Sequence, residues 1–160
     1  MRLLLASALL LPACAPAPHV AAPSALAAIS MDRNSWGKPV SRWTIDATGS
    51  GSLTVPEPDV FNAERMVTRG FSAGPEGFAL IRRLLTDAEA HAGRELNCGA
   101  RITDQYYGTV RWGEASLGYD MGCQAPATAK LLVSIGAAER QVSHWATNGP
   151  ILETRKVESQ

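Results

Sequence analysis

The sequence predicts an α+β domain in which an antiparallel sheet of about four to five strands carries two helices on one face and one disulfide bond. Short segments that alternate polar and apolar residues indicate strands, and two longer segments with apolar residues three or four positions apart indicate helices. Their order is strand, strand, strand, helix, hairpin, helix, which lacks the regular strand-helix alternation of a parallel sheet. A length of 160 residues leaves room for one such domain.

The first three strands are predicted before the first helix. Residues 42–46 alternate polar and apolar side chains, which predicts a half-buried strand. The Gly-Ser-Gly-Ser run at 49–52 indicates a turn, and residues 53–55 return as the partner strand. A third strand is predicted over 65–71.

Two helices are predicted, each with a proline in its first turn, where a missing N–H is tolerated. The first begins at Pro75 and ends at Gly93, and the second begins at Pro126 and ends before the Asn-Gly-Pro cluster at 148–150. Their apolar stripes consist of Phe78, Ile81, Leu85 and Ala88 in the first helix, and Leu131, Ile135, Ala138, Val142 and Trp145 in the second. We expect both stripes to face the sheet.

The segment between the two helices contains a predicted hairpin. A four-residue loop at 113–116 places Trp112 opposite Leu117. The inward face then carries Gly108, Val110, Trp112, Leu117, Tyr119 and Met121, and the solvent face carries Tyr107, Thr109, Arg111, Gly118 and Asp120. On the solvent face, Arg111 and Asp120 lie diagonally and are predicted to form a weak ion pair.

The chain begins with a sequence typical of bacterial export signals. After a cationic start, the apolar run at 3–11 reaches about half of a membrane span. The following Leu11-Pro12-Ala13-Cys14 resembles the lipobox of exported bacterial lipoproteins. This resemblance implies that residues 1–13 are removed as a signal peptide, that Cys14 is acylated, and that the protein is anchored in the cell envelope facing the periplasm. Ordinary cleavage near Cys14, giving a soluble periplasmic or secreted protein, remains the alternative.

Composition predicts the domain boundaries downstream of the signal. Residues 14–35 hold the lipidated cysteine and an Ala/Pro-rich stretch, which we expect to be an extended tether. Residues 36–150 are expected to form the single α+β domain. Residues 151–160 are expected to be a polar tail.

The chain has three cysteines. Acylation or removal of Cys14 leaves Cys98 and Cys123 as one pair, and an exported protein meets an oxidising compartment. We therefore expect a disulfide between Cys98 and Cys123, with two unrelated buried thiols as the alternative.

Charge and histidine spacing argue against several functions. Lys plus Arg number 15 and Asp plus Glu number 15, so no excess of positive charge attracts the protein to nucleic acid. His19, His91 and His144 match no zinc-binding pattern. The sequence therefore predicts no metal site and no cofactor.

Residues 70–74, Gly-Phe-Ser-Ala-Gly, resemble the nucleophile elbow of α/β-hydrolases, because they follow a predicted strand and precede a predicted helix. The resemblance implies Ser72 as the nucleophile, with His144 and either Asp120 or Asp104 completing a triad. However, it covers five residues only, and His144 falls inside a predicted helix. A turn serine that bonds local backbone is the preferred interpretation, and a small serine hydrolase stays as the alternative.

Residues 102–108 combine two tyrosines with small and polar residues, a composition suited to contact surfaces. The candidate binding residues are Asp104, Tyr106, Tyr107 and Arg111. We expect a non-catalytic binding or interaction module of the cell envelope, attached to the membrane through its lipid and binding an envelope protein. Besides the hydrolase, the alternative is an inhibitor that presents the 98–123 loop to a secreted enzyme.

Overall fold

The computed structural model of the protein describes residues 27–157, which fold as an α+β domain. In chain order, its elements are β1 (Ile29–Ser35), β2 (Lys38–Ile45), β3 (Ser50–Glu57), β4 (Arg65–Ser72), α1 (Gly74–Glu89), β5 (Tyr107–Trp112), β6 (Ala115–Asp120), α2 (Pro126–Ala146) and β7 (Ile151–Lys156). The strands form one antiparallel sheet in the order β6-β5-β1-β2-β3-β4-β7. The fold class and the two helices are confirmed, and the sheet of seven strands is larger than predicted.

Strand β1 lies near the centre of the sheet, between β5 and β2, although its residues belong to the predicted tether. Ile29 and Met31 are fully buried, so the folded domain begins at Ile29 and the predicted start at Trp36 is wrong. The signal for this strand is short, because two alternating apolar residues directly follow a long Ala/Pro-rich stretch. Residues 1–26, with the predicted signal peptide, Cys14 and most of the tether, lie outside the described residues.

Strand β7 extends the sheet beyond β4, where a polar tail is predicted. All of its side chains are exposed, and it is held by backbone pairing with residues 65–69. A strand that buries no side chain produces no period-two pattern of apolar residues, so pattern analysis alone misses it. The predicted end of the domain at residue 150 is therefore wrong.

The β5–β6 hairpin is tighter than predicted. Trp112 pairs with Ala115 and Val110 pairs with Leu117, so a two-residue turn replaces the predicted four-residue loop. Gly113 adopts φ 60° in this turn. The predicted register is wrong by two residues, but a shift of two preserves which side chains share a face. Four of the six predicted inward residues are accordingly buried, Val110, Trp112, Leu117 and Tyr119, while Gly108 and Met121 are partly buried.

Both helices pack against the same face of the sheet and begin within one residue of their predicted starts. Trp43 of β2 and Val110 of β5 point into this layer and are fully buried. Ile81 and Leu85 of α1 and Ile135 of α2 meet them from the helix side. The predicted stripes therefore form the core, and no element within residues 27–157 covers the opposite face of the sheet.

The predicted disulfide joins Cys98 to Cys123. Cys98 follows α1, and Cys123 lies between β6 and α2, so the bond ties the long α1–β5 connection to the end of the hairpin. Within residues 27–157, no helix is long and apolar enough to cross a membrane.

Candidate binding site

The turn between β1 and β2 presents Trp36 at one end of the sheet. Ser35 pairs with Lys38, so Trp36 and Gly37 form a two-residue turn with φ values of 51° and 74°. Two positive φ values are typical of a type I′ turn, whose first central position favours Asn, Asp or Gly. Trp36 carries a Cβ that makes this conformation unfavourable, and its side chain is 66% exposed. Neither backbone preference nor burial explains a large aromatic residue here.

Tyr107 of β5 supports this turn. It lies opposite Asn34 of β1, and its hydroxyl accepts a hydrogen bond of 3.1 Å from the backbone N–H of Gly37. The next residue, Gly108, allows the two strands to approach closely, since a Cβ there would lie 1.9 Å from the carbonyl oxygen of Asp32. The Tyr107 side chain therefore connects the turn to a tightly packed strand pair.

The chain between the disulfide and β5 folds back beside the turn. Arg101 forms an isolated β-bridge with Cys123, and the N–H of Ile102 donates a hydrogen bond of 2.9 Å to the carbonyl oxygen of Gly122. A Cβ on Gly122 would come within 2.1 Å of the carbonyl oxygen of Ile102, so glycine is required for this approach. These contacts hold Ile102 with its side chain exposed, next to Asp104, which has a φ of 69°.

The turn and the folded-back loop enclose two adjoining open cavities, which together we call the aromatic cleft. The smaller, about 280 Å³, is lined by Trp36, Arg101, Ile102, Thr103, Asp104, Gln105, Tyr107 and Asp120. The larger, about 570 Å³, is lined by Arg94, Glu95, Leu96, Cys98, Arg101, Tyr107, Gly108, Gly118, Tyr119 and Asp120. Trp36 and Asp104 are the two non-glycine residues with positive φ in the described chain, and both line the smaller cavity. Asp adopts this conformation readily, whereas it is unfavourable for Trp, and unfavourable backbone conformations cluster at functional sites.

A buried ion pair anchors the loop beside the cleft. Arg33 of β1 contacts the carboxylate of Glu139 on α2, whose side chain is 8% exposed, and the hydroxyl of Ser41 donates to the same carboxylate at 2.5 Å. The guanidinium of Arg33 also lies over the ring of Tyr106, 4.8 Å from its centroid. Burial raises the pKa of the Glu139 carboxyl, while Arg33 and Ser41 act in the opposite direction. The loop is thus connected through Tyr106 to the interior.

The four predicted binding residues separate into two groups. Asp104 and Tyr107 line the aromatic cleft. Tyr106 instead packs on the guanidinium of Arg33, and Arg111 lies on the uncovered sheet face, where it forms an ion pair with Asp32.

The predicted ion pair between Arg111 and Asp120 is wrong. The strand next to β5 on its other side is β1, and this places Asp32 close to Arg111. Asp120 contacts Arg101 instead, at 3.8 Å. Both partners, Asp32 and Arg101, lie outside the β5–β6 hairpin, so the residue pattern of the hairpin does not reveal them.

Trp36 and Ile102 are site residues that do not belong to the predicted binding set. Trp36 and Gly37 lie between two short segments that alternate polar and apolar residues, which is the pattern of a hairpin turn. Trp is unusual at the first turn position, and the pattern is recognisable only when residues 29–35 are also assigned to a strand. Ile102 becomes notable through its exposure, which the sequence does not show.

The residues of the hydrolase alternative do not come together. Ser72 ends β4 and Asp120 ends β6, and the four strands between them separate the two by roughly 24 Å across the sheet. Ser72 pairs with Ser50 at one end of the sheet, and the Trp36–Gly37 turn lies at the other end. Asp104 comes shortly before Tyr107, which contacts that turn, so Asp104 is also far from Ser72. The Gly-Phe-Ser-Ala-Gly segment turns directly into α1, and the Ala73 N–H donates to the carbonyl oxygen of Gly49 at 2.9 Å.

The two histidines within residues 27–157, His91 and His144, do not line the cleft. His91 follows α1, with its Nδ1 atom 2.8 Å from the carbonyl oxygen of Asp87, and His144 lies in the last turn of α2. In the part of the chain that the structure describes, no group of three or more His, Cys, Asp or Glu residues is placed to hold a metal ion. Comparisons of the chain with protein-family models, with curated proteins and with solved structures found no match.

Proposed function

We propose that the protein is an exported lipoprotein of the bacterial cell envelope whose α+β domain is a non-catalytic binding module. The aromatic cleft is its binding site, and its partner is a second envelope protein that inserts an apolar side chain between Trp36 and Ile102. Cys14 carries the lipid that anchors the domain, as the lipobox-like leader suggests. The Cys98–Cys123 bond supports an oxidising, extracytoplasmic compartment.

The observation that carries this proposal is the display of Trp36. An exposed tryptophan in a strained turn position costs stability, so its presence needs another explanation. Trp and Tyr are enriched among the few residues that dominate binding energy at protein interfaces. Trp36, Ile102 and Tyr107 line the same cavity and are all substantially exposed, so they provide a compact apolar contact patch.

The charges and side-chain types of the cleft favour binding of a protein surface over catalysis. Its two basic residues, Arg94 and Arg101, are outnumbered by three acidic residues, Glu95, Asp104 and Asp120, so the cleft does not favour a polyanion. Among the residues that the structure describes, no serine or histidine lines either cavity, and the cysteine in the larger one is in the disulfide. A polar border around an apolar centre is the usual anatomy of a protein interface.

Photo-cross-linking in the native envelope tests the proposal. Ile102 is replaced by the photo-reactive residue benzoylphenylalanine in the full chain, and a matched control carries the same residue at Val133, an exposed position on α2. We expect a discrete covalent adduct with one envelope protein from position 102 and none from position 133.

Two outcomes would contradict the proposal: no adduct at position 102, or equal adducts at both positions. If the adduct contains a secreted enzyme whose activity the protein blocks, the module acts as an inhibitor through the same cleft.

A further inference from the structure

Strand β7 is an open edge of the sheet. Every one of its six side chains is exposed, including the apolar Ile151 at 58% and Leu152 at 61%. Its inner side pairs with β4, and among residues 27–157 no strand lies on its outer side. Such an edge presents unpaired backbone groups that favour pairing with another strand.

The opposite edge of the sheet is protected. The N–H of Gly93 donates a hydrogen bond of 2.8 Å to the carbonyl oxygen of Ser116 in β6. The chain that follows Gly93 runs on as one wall of the larger cavity, from Arg94 to Cys98. The two edges therefore differ, and β7 is the one available for pairing along its length.

The charges of β7 select one register for pairing with a second copy. In an antiparallel pair centred on Thr154, Glu153 of each copy lies opposite Arg155 of the other. Centring the pair on Glu153 or on Arg155 instead places like charges opposite each other. Opposite charges directly across an antiparallel pair stabilise it, and like charges destabilise it. Glu153 and Arg155 lie on the same face of β7, and their charged groups are 3.2 Å apart within one copy.

We infer that β7 is a self-association surface at which two copies pair antiparallel about Thr154 and continue the sheet from one copy into the other. The same register places Leu152 opposite Lys156, whose methylene stem covers apolar surface. The charges of β7 disfavour pairing with unrelated strands, and in this register they favour a second copy. Strand β7 lies at the edge of the sheet away from β5 and β6, so a dimer paired through β7 leaves the aromatic cleft of each copy open. The inference does not rest on the proposed function.

Analytical ultracentrifugation over micromolar to submillimolar concentrations tests this inference. The mature chain carries Cys14→Ser, so that a lipid does not cause association. We expect a monomer–dimer equilibrium that Glu153→Arg or Arg155→Glu weakens by about tenfold or more, since each change creates two like-charge pairs. The double variant with both changes exchanges the charges and restores the dimer to within about threefold of the parent.

Glu114→Arg is the matched control, because it makes the same charge change in the exposed β5–β6 turn. It should leave the dimer constant unchanged. A chain that stays monomeric at all concentrations would overturn the inference, and so would single reversals that weaken the dimer no more than Glu114→Arg does. Circular dichroism confirms that each variant is folded, and the substituted side chains are exposed in each case.

Discussion

The hydroxyl of Tyr107 accepts a hydrogen bond of 3.1 Å from the backbone N–H of Gly37. This bond connects β5 to the turn in which Trp36 adopts a positive φ, a conformation that costs roughly 1–2 kcal/mol for a residue with a Cβ. Pairing of β1 with β2 and with β5 compensates for that cost, so the turn can display a side chain that the backbone disfavours.

The disulfide should stabilise the domain without determining its fold. Replacing both partners, Cys98→Ala with Cys123→Ala, removes a crosslink across a sequence separation of 25 residues. We expect the free energy of unfolding to fall by about 3 kcal/mol, because the unfolded chain regains the entropy of an open loop. Urea titration of parent and variant measures this difference. Two titratable thiols in the protein purified from the periplasm would show that the bond does not form.

The two faces of the β5–β6 hairpin should respond differently to truncation. Trp112 is buried on the inward face, so Trp112→Ala should cost on the order of 3–5 kcal/mol. Tyr107 and Arg111 lie on the outward face, and replacing both by Ala should cost less, about 1–2 kcal/mol, because it removes the Gly37–Tyr107 hydrogen bond and the exposed Arg111–Asp32 ion pair. Urea titration compares the two variants. Unfolding of the double variant would show that the outward pair is structural.

The carboxyl of Glu139 should make a recognisable contribution to the pH dependence of stability. Burial raises its folded-state pKa above the ordinary value of 4.5. A raised folded-state pKa stabilises the fold at pH values below 4.5, and this contribution is lost as pH rises through the folded-state pKa.

The free energies of unfolding of the parent and of Glu139→Gln should therefore be compared by urea titration, from pH values below 4.5 upward through the folded-state pKa of Glu139. We expect the parent's stability relative to the variant to fall as pH rises. A relative stability that grows with pH would mean that the ion pair with Arg33 outweighs burial.

Membrane attachment should depend on Cys14. If this residue is acylated, Cys14→Ser should release the protein from membranes or leave an unprocessed precursor. Membrane fractionation measures the release, and mass spectrometry of the amino terminus detects the lipid or the unprocessed precursor. An unmodified amino terminus downstream of Cys14 in the parent would favour ordinary secretion.

Side-chain burial explains which parts of the fold are predictable from sequence. Trp43 and Ile45 lie on a strand with one buried face, and Ile81 and Leu85 lie on a helix with one buried stripe, so their periodicity reveals both elements. Strand β7 buries nothing and is held by backbone hydrogen bonds, which leave no pattern in the side chains.

The candidate site is only partly predictable, because it is assembled from distant segments. Tyr107 and Asp104 are recognisable within one tyrosine-rich segment. Their neighbour Trp36 comes from another part of the chain, and the pairing of β1 with β5 that unites them is a tertiary contact. The same pairing gives Arg111 its partner Asp32, which local alternation does not include.

Trp36→Asn separates a binding role from a structural one. Asn is favoured at this turn position, so the free energy of unfolding should stay constant or rise by up to about 1 kcal/mol. A loss of more than about 1 kcal/mol would mean that Trp36 contributes to packing in the fold.

The yield of the cross-linked adduct from position 102 in the Trp36→Asn chain, measured together with its thermal midpoint, tests the binding role of the cleft most directly. We expect the adduct to disappear while the thermal midpoint is unchanged or higher. A full yield of adduct from a stable Trp36→Asn chain would contradict the assignment of the aromatic cleft as the binding site.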